Sequence, residues 1–206
     1  AIGVAGDGEN LVRSRYNDQP TDWSPDGQFV IYSRRDPQLQ WDLWLKPMSP
    51  GAERTEAPFL RPATNEHLAQ FSPDGRWVAY VSDDSGTNEV YAQSFPKPGT
   101  REQISNGGGS QPRWRADGRE LFYLSADGHL VSVAVSPGGR LAPGKPSVLF
   151  KTRIFDPLGG EHNGYAWNYA VAPDGNRFLM TTVTDQSATV PTTTVVLNWL
   201  ARLPRR

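Results

Sequence analysis

The chain has 206 residues and a formal net charge of −1, so no overall field draws it to nucleic acid or to a membrane surface. Cysteine is absent, which excludes disulfides and thiol chemistry and fits either a reducing or an oxidising compartment. No apolar run approaches the ~20 residues of a membrane-spanning helix, and Ala1-Ile2-Gly3-Val4-Ala5 lacks the charged start and long apolar core of a signal peptide. The sequence begins without methionine and in mid-pattern, as a piece of a longer protein would. Twenty Gly and 18 Pro fit a chain of many turns, and seven Trp, seven Tyr and eight Phe supply anchors for short strands.

Residues 2–5 and 11–14 read as two short strands around Gly6-Asp7-Gly8. From Pro20 a pattern starts that recurs three more times. Trp23-Ser24-Pro25-Asp26-Gly27 leads into Gln28-Phe29-Val30-Ile31-Tyr32, and Phe71-Ser72-Pro73-Asp74-Gly75 into Arg76-Trp77-Val78-Ala79-Tyr80. Trp114-Arg115-Ala116-Asp117-Gly118 precedes Arg119-Glu120-Leu121-Phe122-Tyr123, and Val171-Ala172-Pro173-Asp174-Gly175 precedes Asn176-Arg177-Phe178-Leu179-Met180. Proline suits the first central position of a type I turn, Asp the second, and Gly the following residue with φ > 0. Each copy therefore reads as a hairpin with a three-residue loop and a bulge, followed by an alternating strand with one buried face. The aspartates at 26, 74, 117 and 174 are spaced by 48, 43 and 57 residues. A period of about 40–50 residues carrying only strand signals indicates propeller blades rather than a helical solenoid.

The predicted strands group accordingly, with the whole of 1–206 as one propeller segment. Residues 1–15 would be outer strands of a preceding blade. Blade one (20–60) holds strands at 21–24, 29–33, 42–47 and 57–60. Blade two (67–105) holds strands at 67–72, 77–82, 89–95 and 102–105. Blade three (111–151) holds strands at 111–115, 120–125, 129–135 and 147–151, with Asp127-Gly128 as a second hairpin signal. Blade four (165–199) has three, at 165–171, 178–183 and 193–199. No helix is expected beyond one turn at 198–203.

Particular stretches resemble the TolB-type β-propellers of bacteria, and above all the C-terminal propeller of bacterial Ser/Thr protein kinases of eukaryotic type. They are Pro20-Thr21-Asp22-Trp23-Ser24-Pro25-Asp26-Gly27, Trp41-Asp42-Leu43-Trp44, Asn65-Glu66-His67, Ser82-Asp83-Asp84-Ser85-Gly86, Asn88-Glu89-Val90-Tyr91, Gln111-Pro112-Arg113-Trp114 and Thr194-Val195-Val196-Leu197-Asn198-Trp199-Leu200. The resemblance covers nearly the whole chain. It implies a six-bladed ring, from which this sequence departs by supplying about four blades. It also implies an extracytoplasmic or periplasmic setting.

Catalytic signatures are missing. The nearest approach to a nucleophile elbow, Gly108-Gly109-Ser110-Gln111-Pro112, lacks the closing glycine and the strand-to-helix setting. Gly107-Gly108-Gly109 is followed by no Lys-Ser/Thr and no helix, so it is not a phosphate loop. No kinase catalytic loop occurs. Asp83-Asp84-Ser85-Gly86-Thr87-Asn88-Glu89 has the wrong oxygen spacing for a calcium loop and reads as a solvated hairpin. His67, His129 and His162 are too scattered for zinc. No catalytic residue, metal site or cofactor is therefore expected.

The link at 155–167 accounts for the 57-residue spacing, and long loops on rigid scaffolds often carry function. In propeller topology the inter-blade links and the loops between second and third strands share one face. That face would present Arg34, Arg35, Asp36, Trp41, His67, Asp83, Asp84, His162, Tyr165 and Trp167. Mixed charge with aromatics suits a protein or peptide partner. The expected function is a non-catalytic binding or sensory module that recognises a protein or peptide. The alternative is an accessory propeller gating a linked enzyme, a kinase or peptidase. Open blade edges would invite self-association, and neither nucleic-acid binding nor membrane insertion is expected.

Overall fold

The computed structural model describes residues 12, 14–35, 40–49, 55–136, 140–154, 167–182 and 192–196. The strand predicted at 2–5, half of 11–14, the helical turn at 198–203 and most of the 155–167 link lie outside these. All described elements are strands: β1 (Asn17–Trp23), β2 (Phe29–Arg35), β3 (Trp41–Pro47), β4 (Ala57–Leu60), β5 (Glu66–Phe71), β6 (Trp77–Ser82), β7 (Glu89–Ser94), β8 (Arg101–Gln103), β9 (Gly109–Trp114), β10 (Glu120–Ser125), β11 (His129–Ala134), β12 (Ser147–Lys151), β13 (Tyr169–Val171), β14 (Phe178–Thr182) and β15 (Thr192–Val196). Antiparallel meanders β1–β4, β5–β8 and β9–β12 form three four-stranded sheets, and β13–β15 a three-stranded one. This is an all-β propeller architecture.

The repeated turn follows from its residues. Gly27, Gly75, Gly118 and Gly175 have φ between 68° and 72°, and each donates its N–H to the carbonyl three residues before. The loop is longer than predicted. Ser24 N–H bonds the Phe29 carbonyl at 2.8 Å, and the Ser24 hydroxyl accepts the Phe29 N–H at 2.9 Å, so residues 25–28 all lie between the paired positions. The hydroxyl also donates to Asp26 Oδ1 at 2.6 Å, which accepts the Gln28 N–H at 3.0 Å. Ser72 and Asp74 repeat this arrangement. Where arginine replaces the serine, Arg115 Nε donates to Asp117 Oδ1 at 2.9 Å.

The core lies between blades. Ile31, Leu43 and Phe59 meet Phe71, Val78 and Tyr80 between blades one and two, where Phe95 packs edge-on against Phe29 and Phe71. Trp77, Ala79 and Val90 meet Trp114, Leu121 and Tyr123 between blades two and three. Phe122, Leu124 and Leu130 meet Tyr169, Phe178 and Met180 between blades three and four. Residues of β6 and β10 therefore feed two cores each, one per face. This corrects the expected one-sided alternation: β6 is buried at every position because a neighbouring blade covers each side.

Some boundaries differ for local reasons. β1 starts at Asn17, ahead of Pro20, because Asn17, Asp18 and Gln19 pair with Arg35, Arg34 and Ser33 before a bulge at 20–22. β9 starts at Gly109, inside the glycine run. A Cβ at Gly109 would lie 2.3 Å from Ser105 Oγ, so close packing of the link demands glycine there. β8 stops at Gln103, because Ile104 and Ser105 both turn their N–H groups to the Val90 carbonyl.

The blades pack in succession, β1 against β5, β5 against β9 and β9 against β13. Among the described residues no comparable contact joins blade four to blade one, so the sheets form an open arc. Trp23 shows the consequence. It is 52% exposed, whereas Phe71 and Trp114 at the same repeat position are 4% and 7% exposed, each packed on the blade before it.

Candidate functional site

Because the sheets are antiparallel meanders, the Pro-Asp-Gly turns lie at one end and the inter-blade links with the β2–β3, β6–β7 and β10–β11 loops at the other. On the turn end the Ser, Asp and Arg side chains of the motifs are engaged in the local bonds described above. The link end is more varied.

On blade one, Arg34 is buried. Its Nε and Nη2 donate to the Asp18 carboxylate at 2.7 and 3.1 Å, and Nη1 to Glu56 at 2.9 Å. The guanidinium also lies 4.5 Å from the Trp44 ring centre. Burial alone would lower its pKa, but the two carboxylates outweigh that and raise it. Next to it, exposed Arg35 sits 6.0 Å over the ring of Trp41. Trp41 is buried, and its backbone N–H donates to Asn65 Oδ1 at 3.1 Å. Asn65 in turn donates through its backbone and side-chain amides to Asp83, at 2.8 and 2.6 Å. This chain of bonds ties the start of β3, the first link and the β6–β7 loop together.

A cavity of about 350 Å³ opens between blades one and two, lined by Phe59, Leu60, Arg61, Pro62, Thr64, Glu66, Tyr80, Asp84, Gln93 and Arg101. Glu66 is only 1% exposed. Its Oε1 accepts the hydroxyls of Thr64 and Ser82, each at 2.8 Å, while Oε2 has no hydrogen-bond partner. Burial pushes its pKa up to about 7, against the two hydroxyls, with Asp42 and Asp83 adding to the rise. The adjacent His67 points into the interior and is fully buried, which holds its pKa down near 3. At the rim, Arg101 Nη1 donates to Asp84 at 2.7 Å and lies 3.8 Å over the Tyr91 ring. Arg61 Nε is 3.4 Å from buried Asp42.

Farther along the arc, the Arg113 guanidinium stacks 3.6 Å over half-buried Trp167, and burial lowers its pKa. Gln111 supports this neighbourhood: its Oε1 accepts the Asn168 N–H and its carbonyl the Tyr169 hydroxyl, each at 2.8 Å.

The residues expected to share one face therefore divide. Arg35, Asp84 and Trp167 lie on it with surface to offer, and Asp83 lies there half-buried with both carboxylate oxygens bonded to Asn65. Arg34, Trp41 and His67 lie at the same end but inside: ion pairing, blade packing and burial occupy their side chains. Asp36, His162 and Tyr165 fall outside the described residues. Sequence reasoning missed Glu66, Arg61, Arg101 and Arg113. The available signal for Glu66 was an acidic residue heading the mostly apolar run His67-Leu68-Ala69, with the opposite facing to His67. Among the described residues no three His, Asp or Glu side chains are grouped to hold a metal, and no helix is long and apolar enough to cross a membrane.

No family model and no curated protein matches this sequence. Solved structures do match it. TolB from Acinetobacter baumannii aligns with a TM-score of 0.52 over 91% of this chain and 53% of its own, at 13% identity. A protein assigned as TolB from Agrobacterium tumefaciens gives 0.57 over 80% of this chain and 57% of its own, at 19% identity. A puromycin-hydrolyzing peptidase from Mycobacterium tuberculosis gives 0.56 over 81% of this chain but 28% of its own, at 17% identity. The chain spans a little over half the length of the two TolB proteins. These likenesses establish its fold as that of a TolB-type β-propeller.

Proposed function

We propose that this TolB-type propeller is a non-catalytic binding or sensory module, placed outside the cytoplasm, that recognises a protein or peptide with its link-bearing end. The contrast between the two ends carries the reading. Side chains at the turn end are consumed by local geometry. The link end offers guanidinium–aromatic stacks, carboxylates and a cavity, the mixture from which recognition surfaces are built. Arg35, Asp84 and Trp167 would make direct contact, with Asp36, His162 and Tyr165 expected beside them. Arg34, Trp41, His67 and Asp83 would set the frame.

The test is capture of a partner from extract with paired variants. Arg35→Ala with Asp84→Ala should weaken capture without lowering the melting temperature, and Gln28→Ala with Arg76→Ala should leave it intact. Loss in the second pair alone would contradict the reading.

A second reading is an accessory propeller gating a linked enzyme. It is favoured by the peptidase whose propeller portion this chain matches and by the sequence resemblance to kinase propellers. A parent reading frame carrying a catalytic domain, whose rate changes when Arg35 and Asp84 are altered, would support it over free binding.

A further inference from the structure

The cavity between blades one and two contains an anionic group that the protein leaves half answered. Both guanidinium groups that line it already face carboxylates: Arg61 meets Asp42, and Arg101 meets Asp84. Glu66 is different. One oxygen accepts two hydroxyls, and the other, buried, accepts nothing. A buried acceptor without a donor is costly, so an arriving donor gains more there than on the open surface. Phe59, Leu60, Pro62 and Tyr80 line the same cavity as Glu66. The volume of about 350 Å³ is at the small end of ligand sites.

We propose that this cavity receives a lysine side chain of the partner, its ammonium donating to Glu66 Oε2 and its alkyl stem lying along the apolar walls. The proposal rests on the reading of this end as a protein-binding surface and specifies what that surface selects. An ammonium matches the site because it brings three donors and a positive charge to Glu66, the lining carboxylate that no guanidinium meets, while Arg61 and Arg101 are held by Asp42 and Asp84. A partner carboxylate would find both arginines already paired and would lie against Glu66.

The pH dependence follows from the groups around the carboxyl. Thr64 and Ser82 favour its ionised form, and Asp42 and Asp83 oppose it. Arg61, Arg101, Asp84 and Tyr80 face it across the cavity. His67, behind it, stays neutral throughout because its pKa lies near 3. With Glu66 titrating at about 7, ammonium binding should strengthen about tenfold between pH 6 and 8, following the ionised fraction.

The experiment is an NMR amide-shift titration of the whole chain with N-acetyl-lysine-N-methylamide, its Nε-acetylated form and N-acetyl-glutamate-N-methylamide. The lysine probe should bind, shifting the amides of Glu66, Ser82 and Asp84, and tighten from pH 6 to 8. The neutral and anionic probes should bind at least tenfold more weakly. Glu66→Gln, which keeps the acceptor for Thr64 and Ser82, should weaken the lysine probe at least tenfold and abolish its pH dependence. Equal binding of the acetylated probe, preference for the glutamate probe, or tighter lysine binding at pH 6 would overturn the proposal. If Glu66→Gln does not fold, the pH series on the unaltered chain decides alone. The probes need no natural partner. Failure to capture a partner with the lysine probe bound would count against the protein-recognition reading only. A captured partner without probe binding would count against this proposal only.

Discussion

The carboxylate of Asp22 on β1 accepts the backbone N–H of Phe71 on β5 at 2.8 Å, across the boundary between blades one and two. β5 is the innermost strand of its blade, so N–H groups turned away from β6 need a partner from elsewhere. Gln70 repeats the bond one blade on, with Oε1 accepting the Trp114 N–H at 2.8 Å. At the third boundary the equivalent residue is Arg113, which has no acceptor. There Gln111 takes over, reaching Asn168, with its own backbone at φ 54°. Asp22→Ala should therefore destabilise the chain by on the order of 1–3 kcal/mol, the cost of an orphaned buried N–H. Asp22→Asn, which keeps an acceptor, should cost well under half of that. Equal losses in denaturant titrations would show that the bond is not what couples these blades.

Gly75→Val tests the repeated turn. Gly75 has φ 68°, where a β-branched residue is strained, and the expected loss is about 1–3 kcal/mol. Arg76 is exposed, and its Nε is 4.0 Å from Asp74, so Arg76→Ala should be nearly neutral. Equal melting temperatures for the two variants would contradict the turn geometry.

Glu66 and His67 act on stability with opposite pH slopes. The folded chain holds the Glu66 proton to about 7 against an ordinary value of 4.5, so it binds more protons than the unfolded chain in that window, and stability falls as pH rises through it. His67 is held neutral down to about 3 against 6.5, so stability falls as pH drops through that window. The two slopes oppose each other where the windows overlap. Single variants separate them. Glu66→Gln should gain on the unaltered chain by on the order of 1–3 kcal/mol between pH 5 and 8. The unaltered chain should lose a similar amount relative to His67→Gln between pH 6.5 and 4. Stability differences that stay flat across pH would remove the account of both groups.

Trp23 marks the open end of the arc. Its repeat counterparts are buried against a preceding blade, and it is not. The chain should self-associate with rising concentration in sedimentation experiments, and Trp23→Lys should reduce this. Association unchanged in the variant would place the contact on another surface.

The blades were legible from the sequence because their signal is local. Ser72, Pro73, Asp74 and Gly75 specify a turn among themselves, and four copies in register specify a propeller. The bond from Asp22 to Phe71 was not legible, because it joins residues 49 apart in the chain and no short window contains both. The meander order places the links at one end, but the sequence does not say which side chains there are exposed. Arginines usually lie at the surface, but Asp18 and Glu56, on either side of Arg34 in the chain, pair with it inside the fold. His67 is fully buried, whereas its neighbour Glu66 lines the cavity, because adjacent strand residues face opposite ways. The one-sided pattern expected of β6 failed because a middle blade is covered on both faces.

The most direct test of which end recognises a partner is site-specific photo-cross-linking. A benzoyl-phenylalanine is placed at Arg35 or Arg61 on the link end and, separately, at Gln28 or Arg76 beside the turns, and each chain is irradiated in the captured complex. The account predicts cross-links to the partner from Arg35 and Arg61 and none from Gln28 and Arg76. Cross-links from the turn positions alone would contradict it.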